Sequence, residues 1–230
     1  MDYIHLSPSK LNLFQECPLC FWLQEVKGIH RPETPSSTLP RGMDLLIKNY
    51  FDEWREQGKL PPEIEGKVEG VPFADTELLK KWRYWKTGPK YVDEKNRFIL
   101  QGALDECFVK GSYFIPVDYK TRGFDLKEDS LKYYQLQLDC YTLMLEAEGY
   151  KTKRFAYLVY YIPQKIYSDG NVKFSVEVYR VTTNPENALK VAREAANLLR
   201  GFPPPSHSKC KFCSWGNEFL KLEQGEDIDT

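Results

Sequence analysis

The stretch GALDECFVKGSYFIPVDYKT, residues 102–121, decides how this chain folds. Residues 98–109 and 113–119 are apolar, aromatic and β-branched, the composition of strands, and Lys110-Gly111-Ser112 between them is a turn. Two such runs around a tight turn predict an antiparallel β-hairpin. Its open end carries Asp105 on one strand and, thirteen positions later, Asp118 on the other, followed by Lys120. Residues two apart on a strand leave the same face, so Asp118 and Lys120 project together, and antiparallel pairing can bring Asp105 beside them. Ile115, Pro116 and Val117 make the approach to Asp118 apolar, and a charged pair ending a buried strand is costly unless it is paired or bound to metal. Two carboxylates and an ammonium at one point suit phosphodiester hydrolysis. The carboxylates hold Mg²⁺ or Mn²⁺, the metal polarises the phosphoryl oxygen and acidifies water, and the lysine orients that water or offsets developing charge. A bare D-x-K also fits an ion pair on a solvated hairpin face, so its surroundings must decide.

Downstream, residues 129–148 read as the clearest helix, with Leu131, Tyr134, Leu138, Tyr141 and Leu145 on one face. Gln137 and Tyr141 are i and i+4 on it, so an amide and a phenol share a face near the hairpin's end. Strands are expected at about 153–162 and 172–181 around a Ser168-Asp169-Gly170 turn, and a last helix from Asn184-Pro185 to about Arg200. Upstream, residues 7–27 read as one helix capped by Ser7 or Ser9, with Pro8 in its first turn and Gly28 as its stop. Residues 31–41, RPETPSSTLPR, read as loop, and 42–56 as an amphipathic helix with Met43, Leu46, Ile47, Tyr50, Phe51 and Trp54 on one face. Residues 58–75 read as loop and 76–86 as a short helix. No internal repeat is present. This order predicts an α/β fold, a mixed central sheet flanked by helices.

Three motifs, Gly102-x-x-Asp105, Val117-Asp118-Tyr119-Lys120-Thr121 and Gln137-x-x-x-Tyr141, resemble in order and spacing the core of the PD-(D/E)xK nuclease superfamily, RecB-type branch. Ser7-Pro8-Ser9-Lys10-Leu11 with Cys17-Pro18 resembles the opening of its iron–sulfur members, such as the AddB-type and CRISPR-adaptation nucleases. The similarity runs from about Ser7 to Trp215. It implies a restriction-endonuclease-like sheet, metal binding by Asp105 and Asp118 with the Tyr119 carbonyl as a further ligand, and catalysis by Lys120. Gln137 and Tyr141 would organise the site and contact DNA. Many RecB-type enzymes place a His four positions after a Gly in the early helix; here Gly42 plus four is Leu46. Asp44 is the nearest substitute ligand, although a first-turn carboxylate is equally favoured by the helix dipole.

The six cysteines include two C-x-x-C pairs, Cys17/Cys20 and Cys210/Cys213, with roughly 190 residues between them. That spacing lets two sulfurs reach one metal, and two such pairs read as a Zn²⁺ or Fe–S site joining the chain's two ends. Buried free cysteines are the bland alternative, and Cys107 and Cys140 are read that way. The resemblance favours a [4Fe–4S] cluster, although its usual pattern has one early and three late cysteines. Zn²⁺ is the alternative, and His207 is a spare ligand candidate.

Net charge is −1, which argues against a non-specific DNA coat but not against a nuclease with one basic groove. Lys80, Lys81, Arg83 and Lys86, interleaved with Trp82, Tyr84 and Trp85, are phosphate-contact candidates, as is Arg122 beside Lys120. Trp82 and Trp85 are both expected in the core. No membrane span or signal peptide is recognisable, which predicts a cytoplasmic protein. Residues 1–222 are expected to form one domain and 223–230 a disordered acidic tail. The reading that results is a Mg²⁺- or Mn²⁺-dependent deoxyribonuclease, an exonuclease on DNA ends or single strands in repair, recombination or defence, with room for a helicase partner. Its rivals are a nuclease-fold DNA-binding or assembly module without turnover, and a zinc-stabilised interaction domain.

Overall fold

The computed structural model describes residues 2–32, 38–124 and 130–223. Residues 224–230 of the expected acidic tail, and part of the 31–41 loop, lie outside them. The hairpin forms as expected from β5 (Glu106–Lys110) and β6 (Tyr113–Thr121), paired antiparallel with Glu106 opposite Val117 and Gly111 in the turn at φ +62°. From β6 the chain crosses over through helix α5 (Lys132–Ala147) to β8 (Phe155–Ile166), which lies parallel to β6. The short β7 (Lys151–Thr152) pairs with the start of β6, and β9 (Val172–Thr182) returns antiparallel to β8. With β2 (Val71–Pro72) at the far edge, the path across this mixed sheet is β2-β5-β6-β8-β9.

Alternation along β6 and β8 assigns the two faces. Ile115, Val117 and Tyr119, with Phe155, Tyr157, Val159 and Tyr161, pack on helix α3 (Thr38–Glu56), which offers Ile47, Phe51 and Arg55 at i, i+4 and i+8. Ala156, Leu158, Tyr160 and Ile162 face the other core, built from α5 and the small alanines of α6 (Pro185–Leu198). A second, three-stranded sheet closes that core: β1 (Ile4–Leu6) parallel to β4 (Phe98–Gln101), which pairs antiparallel with β3 (Lys90–Asp93).

Several expected boundaries move, each for a local reason. The predicted helix 7–27 is two helices, α1 (Pro8–Glu16) and α2 (Pro18–Lys27). Pro18 has no N–H to donate and disfavours helical geometry in the residue before it, and Cys17 is extended at φ −160°. α3 begins at Thr38, four residues earlier than expected, inside what read as loop. The predicted strand 98–109 is broken: β4 belongs to the small sheet, and residues 102–105 cross to the large one. Gly102, where the crossing starts, lets Pro8 pack close, since a Cβ there would stand 3.0 Å from Pro8 Cδ. Helix α4 (Thr76–Trp82) stops four residues short of the expected end. A further helix, α7 (Lys211–Glu223), begins inside the second cysteine pair where none was expected. Among the described residues no helix is long and apolar enough to cross a membrane.

Candidate active site and cysteine cluster

The register of β5 on β6, carried one residue past Glu106 and Val117, sets Asp105 opposite Asp118. Asp118 is 0% exposed, on the β6 face covered by α5. Lys120 Nζ stands 2.5 Å from its Oδ2, and Gln137 Nε2 donates to its Oδ1 at 3.0 Å. The Tyr141 hydroxyl reaches the same Oδ1 at 3.4 Å and accepts from Gln137 Nε2 at 2.5 Å. The i, i+4 spacing on α5 therefore does what the sequence suggested, holding one carboxylate oxygen from the helix side. Asp105, Asp118, Lys120, Gln137 and Tyr141 all line a cavity of about 450 Å³.

A second lysine, not singled out from the sequence, completes the charge arrangement. Lys48 of α3 pairs with Asp105 Oδ1 at 2.8 Å and with Asp44 Oδ2 at 2.8 Å. Asp44 thus meets the site through Lys48, and it lies in the second turn of the lengthened α3, beyond the reach of the dipole argument. Leu46, where a His was sought, is 62% exposed. The only available signal for Lys48 was its i, i+4 spacing from Asp44, which surface helices commonly show.

Burial pushes the Asp118 carboxyl up to about 7; Lys120 opposes the shift and Asp105 adds to it. Burial works against the charge on Lys48 and Lys120 too, but Asp105 and Asp118 respectively outweigh it and hold both ammoniums above the ordinary lysine value. Among the described residues no directed hydrogen bond reaches Asp118 Oδ2, whose close partner is Lys120. A fully buried, under-satisfied carboxylate oxygen facing a second carboxylate is a donor set suited to a hard divalent cation. In metal-free protein the pKa shift has a definite sign. The unfolded chain loses the Asp118 proton at about pH 4, the folded one near pH 7. Between these values the folded state holds the extra proton, so stability falls as pH rises through the window. In EDTA, the melting temperature should drop between about pH 4 and about pH 7, and Asp118→Asn should flatten that slope. An unchanged slope in the variant would exclude Asp118 as its source.

Behind the carboxylates lies a buried charge network. Glu106, fully buried, pairs with Arg55, accepts from the Tyr119 hydroxyl at 2.9 Å and faces Arg83 Nη2 at 3.3 Å. Arg83 Nε donates to the Asp105 carbonyl at 2.8 Å and its Nη1 to Asp52 at 2.6 Å. Arg83 is thus not a free phosphate contact; it ties the Asp105 segment to α3. The Tyr119 side chain points to the α3 face, away from Asp118, so any role as a metal ligand falls to its backbone carbonyl. Lys80 pairs with Glu77, Lys81 is exposed on α4, and Arg122 donates to Ser130 Oγ. Lys86 Nζ sits 5.1 Å from the centre of the Trp85 ring. None of these four cations lines the cavity. Trp82 is core at 1% exposure, as expected; Trp85, at 63%, is not, and it lines the cavity.

The two cysteine pairs meet. Cys17 and Cys20 bracket the start of α2, Cys210 and Cys213 the start of α7, and the four Sγ atoms lie within 4.8 Å of one another. Measured separations are 3.7 Å for Cys17–Cys213, 3.6 Å for Cys20–Cys210 and 3.5 Å for Cys20–Cys213. Burial works against a Cys17 thiolate, but the amides of Cys20 and His207 outweigh it and bring the thiol down to about 7. The His207 amide donates to Cys17 Sγ at 3.4 Å, whereas its ring accepts from the Lys209 amide. Arg31, which drew no notice in the sequence, faces Cys210 Sγ at 3.8 Å and lies over the Phe212 ring. Cys107 and Cys140 are buried core residues.

The family model of the PD-(D/E)XK nuclease superfamily matches residues 39–217. No curated protein matches the chain. Similar solved structures include the crystal structure of SSO0001, at 14% identity and TM-score 0.46, covering 94% of this chain and 86% of that one. An alkaline exonuclease from Laribacter hongkongensis is also similar, at 11% identity and TM-score 0.42, covering 96% of this chain and 93% of that one.

Proposed function

The chain belongs to the PD-(D/E)XK nuclease superfamily, and from that premise we propose that it is a Mg²⁺- or Mn²⁺-dependent deoxyribonuclease of the RecB-type branch, acting on DNA ends or single strands. The observation that carries this reading is the buried Asp118 carboxylate, opposite Asp105, with the Lys120 ammonium 2.5 Å away in an open cavity. Asp105, Asp118 and the Tyr119 carbonyl would hold the metal, with Asp44 adjoining through Lys48. When bound, a divalent ion supplies Lewis-acid polarisation of the scissile phosphate and a more acidic water. Lys120 then orients the attacking water or offsets charge on the phosphoryl oxygens. Gln137 and Tyr141 fix the Asp118 rotamer by sharing its Oδ1, and Arg83 fixes Asp105 through its carbonyl. We assign residues 1–222 to this one nuclease-like domain, with a helicase or a recombination or defence protein as its partner.

For the cysteine cluster we propose a single tetrahedral ion, Zn²⁺ above all, in place of the [4Fe–4S] cluster that the resemblance implies. Four sulfurs at about 2.3 Å from one ion stand about 3.8 Å apart along the tetrahedron's edges. Three of the six edges at 3.5–3.7 Å, with all four sulfurs within 4.8 Å of one another, support that arrangement. In a cubane each thiolate binds a different iron, which spreads the sulfurs well beyond such contacts.

The test is cleavage of end-labelled linear and circular single-stranded DNA, and of the corresponding duplexes, with each divalent metal. Metal-dependent loss of the linear substrates is expected. Absence of cleavage with every metal would leave the rival reading, a nuclease-fold binding module. One feature favours that rival: Lys48 already pairs with both Asp44 and Asp105 and offsets part of their charge.

A further inference from the structure

Trp85 is the least expected residue of the active-site cavity. Tryptophan is on average a highly buried side chain, yet this one leaves 63% of its surface in water while lining the cavity that holds Asp105, Asp118 and Lys120. Trp82, three residues earlier, is buried against Phe73. The difference arises because α4 ends at Trp82 and the chain turns, so residue 85 no longer shares the helix face of residue 82.

The turn carrying Trp85 is fastened to the strand segment carrying Asp105. The Leu104 amide donates to the Trp82 carbonyl at 2.8 Å, and Arg83 Nε to the Asp105 carbonyl at 2.8 Å. Gln101 Nε2 donates to the carbonyls of Lys86 at 3.2 Å and Gly88 at 3.0 Å. Gly88 lies so close to this segment that a Cβ there would fall 1.9 Å from the Gly102 oxygen. Inside the turn, the Thr87 hydroxyl donates to the Lys81 carbonyl at 2.8 Å. An exposed ring on so tightly bonded a turn is pre-positioned: a ligand stacking on it need not order the turn first.

We propose that Trp85 is a base-stacking platform at the mouth of the cavity, and that it selects an unpaired nucleotide of single-stranded DNA next to the scissile phosphate. The proposal rests on the nuclease reading for the neighbouring phosphate, but the stacking itself is readable without turnover. Bases inside a duplex have both faces occupied by their neighbours, so a free indole face offers them nothing; an unpaired base can use it. Tyr84, half exposed, flanks Trp85 with a ring tilted by 53° at 6.2 Å between centres. Lys86 Nζ lies over one indole face at 5.1 Å, which leaves the opposite face for a base and suits the ammonium to the following phosphate. A net charge of −1 fits a substrate held partly by stacking instead of by phosphate charge alone.

The test is fluorescence anisotropy in EDTA at fixed salt with the full chain, using labelled oligothymidylate, the same length of abasic strand, and a closed, fully paired dumbbell. Trp85→Ala should weaken oligothymidylate binding about 5- to 150-fold, the range of one base–aromatic stack. Trp85→Phe should recover most of it. The abasic strand should bind wild type and Trp85→Ala alike, and the dumbbell should not discriminate the two. Equal oligothymidylate affinity of wild type and Trp85→Ala overturns the proposal, as does no binding by wild type, or a parallel loss on the abasic strand or dumbbell. Because nothing is cleaved in EDTA, a chain without nuclease activity that loses oligothymidylate binding on Trp85→Ala would sink the nuclease reading and keep this one.

Discussion

Asp118→Asn should lower metal-dependent DNA cleavage at least about 100- to 1,000-fold, the loss typical of removing one charge-stabilising group from a reaction centre, while removing the fall in metal-free melting temperature between about pH 4 and about pH 7. The two effects have one origin. The carboxylate is fully buried, and burial is the largest influence on its protonation. An amide of the same shape keeps the Gln137 and Tyr141 contacts but neither titrates nor pairs with the buried Lys120 ammonium. Lys120→Ala should cut cleavage comparably and leave Asp118 to titrate, since it removes the close partner of Asp118 Oδ2. Full cleavage by either purified variant would sink the assignment of these residues. Cleavage lost with an unchanged pH slope in Asp118→Asn would exclude Asp118 as the titrating group.

The parts of this site that were legible in the sequence are those set by short-range geometry. The hairpin turn fixes the register, the register sets Asp105 opposite Asp118, and a two-residue step puts Lys120 on the same face. The same holds for Gln137 and Tyr141 on α5. What escaped depends on contacts between distant segments. Glu106 read as the neighbour of Asp105, but strand alternation turns it into the opposite core, where it recruits Arg55 and Arg83 from two other elements. Arg83 therefore read as a free cation. Lys48 drew no notice because its partner Asp105 comes fifty-seven positions later. Trp85 was placed with Trp82 because the predicted helix ran four residues too long; the end of α4 at residue 82 reverses its environment. The break at Pro18 follows from proline chemistry alone, and it matters because it lets Cys17 and Cys20 converge on one point.

That convergence carries the second large effect. Purified chain should be colourless and contain one zinc per chain, and removing the ion with a strong chelator, or by Cys20→Ser with Cys213→Ser, should release α7. A structural zinc site contributes about 10–16 kcal/mol of folding free energy, as much as a whole domain's typical margin of about 5–15 kcal/mol. How that loss is distributed follows from packing. Phe212, Trp215 and Phe219 leave between 41% and 66% of their surfaces exposed, so α7 has little apolar burial of its own to hold it. The cysteine core is otherwise small, with Leu13 and Leu19 packed against it. The large sheet, α5 and α6 pack in cores that contain none of the four clustered cysteines. Chelation should therefore expose the chain between α6 and α7 to protease while the sheet persists, giving cleavage within residues 201–210 and a melting temperature lowered but not abolished. Without the ion, four sulfurs at van der Waals contact would also hold protonated thiols or repelling thiolates, and burial already pushes Cys20 and Cys213 upward. A brown protein with several irons and labile sulfide per chain would overturn the single-ion assignment. A metal-free protein with the same protease resistance would show that α7 docks without any ion.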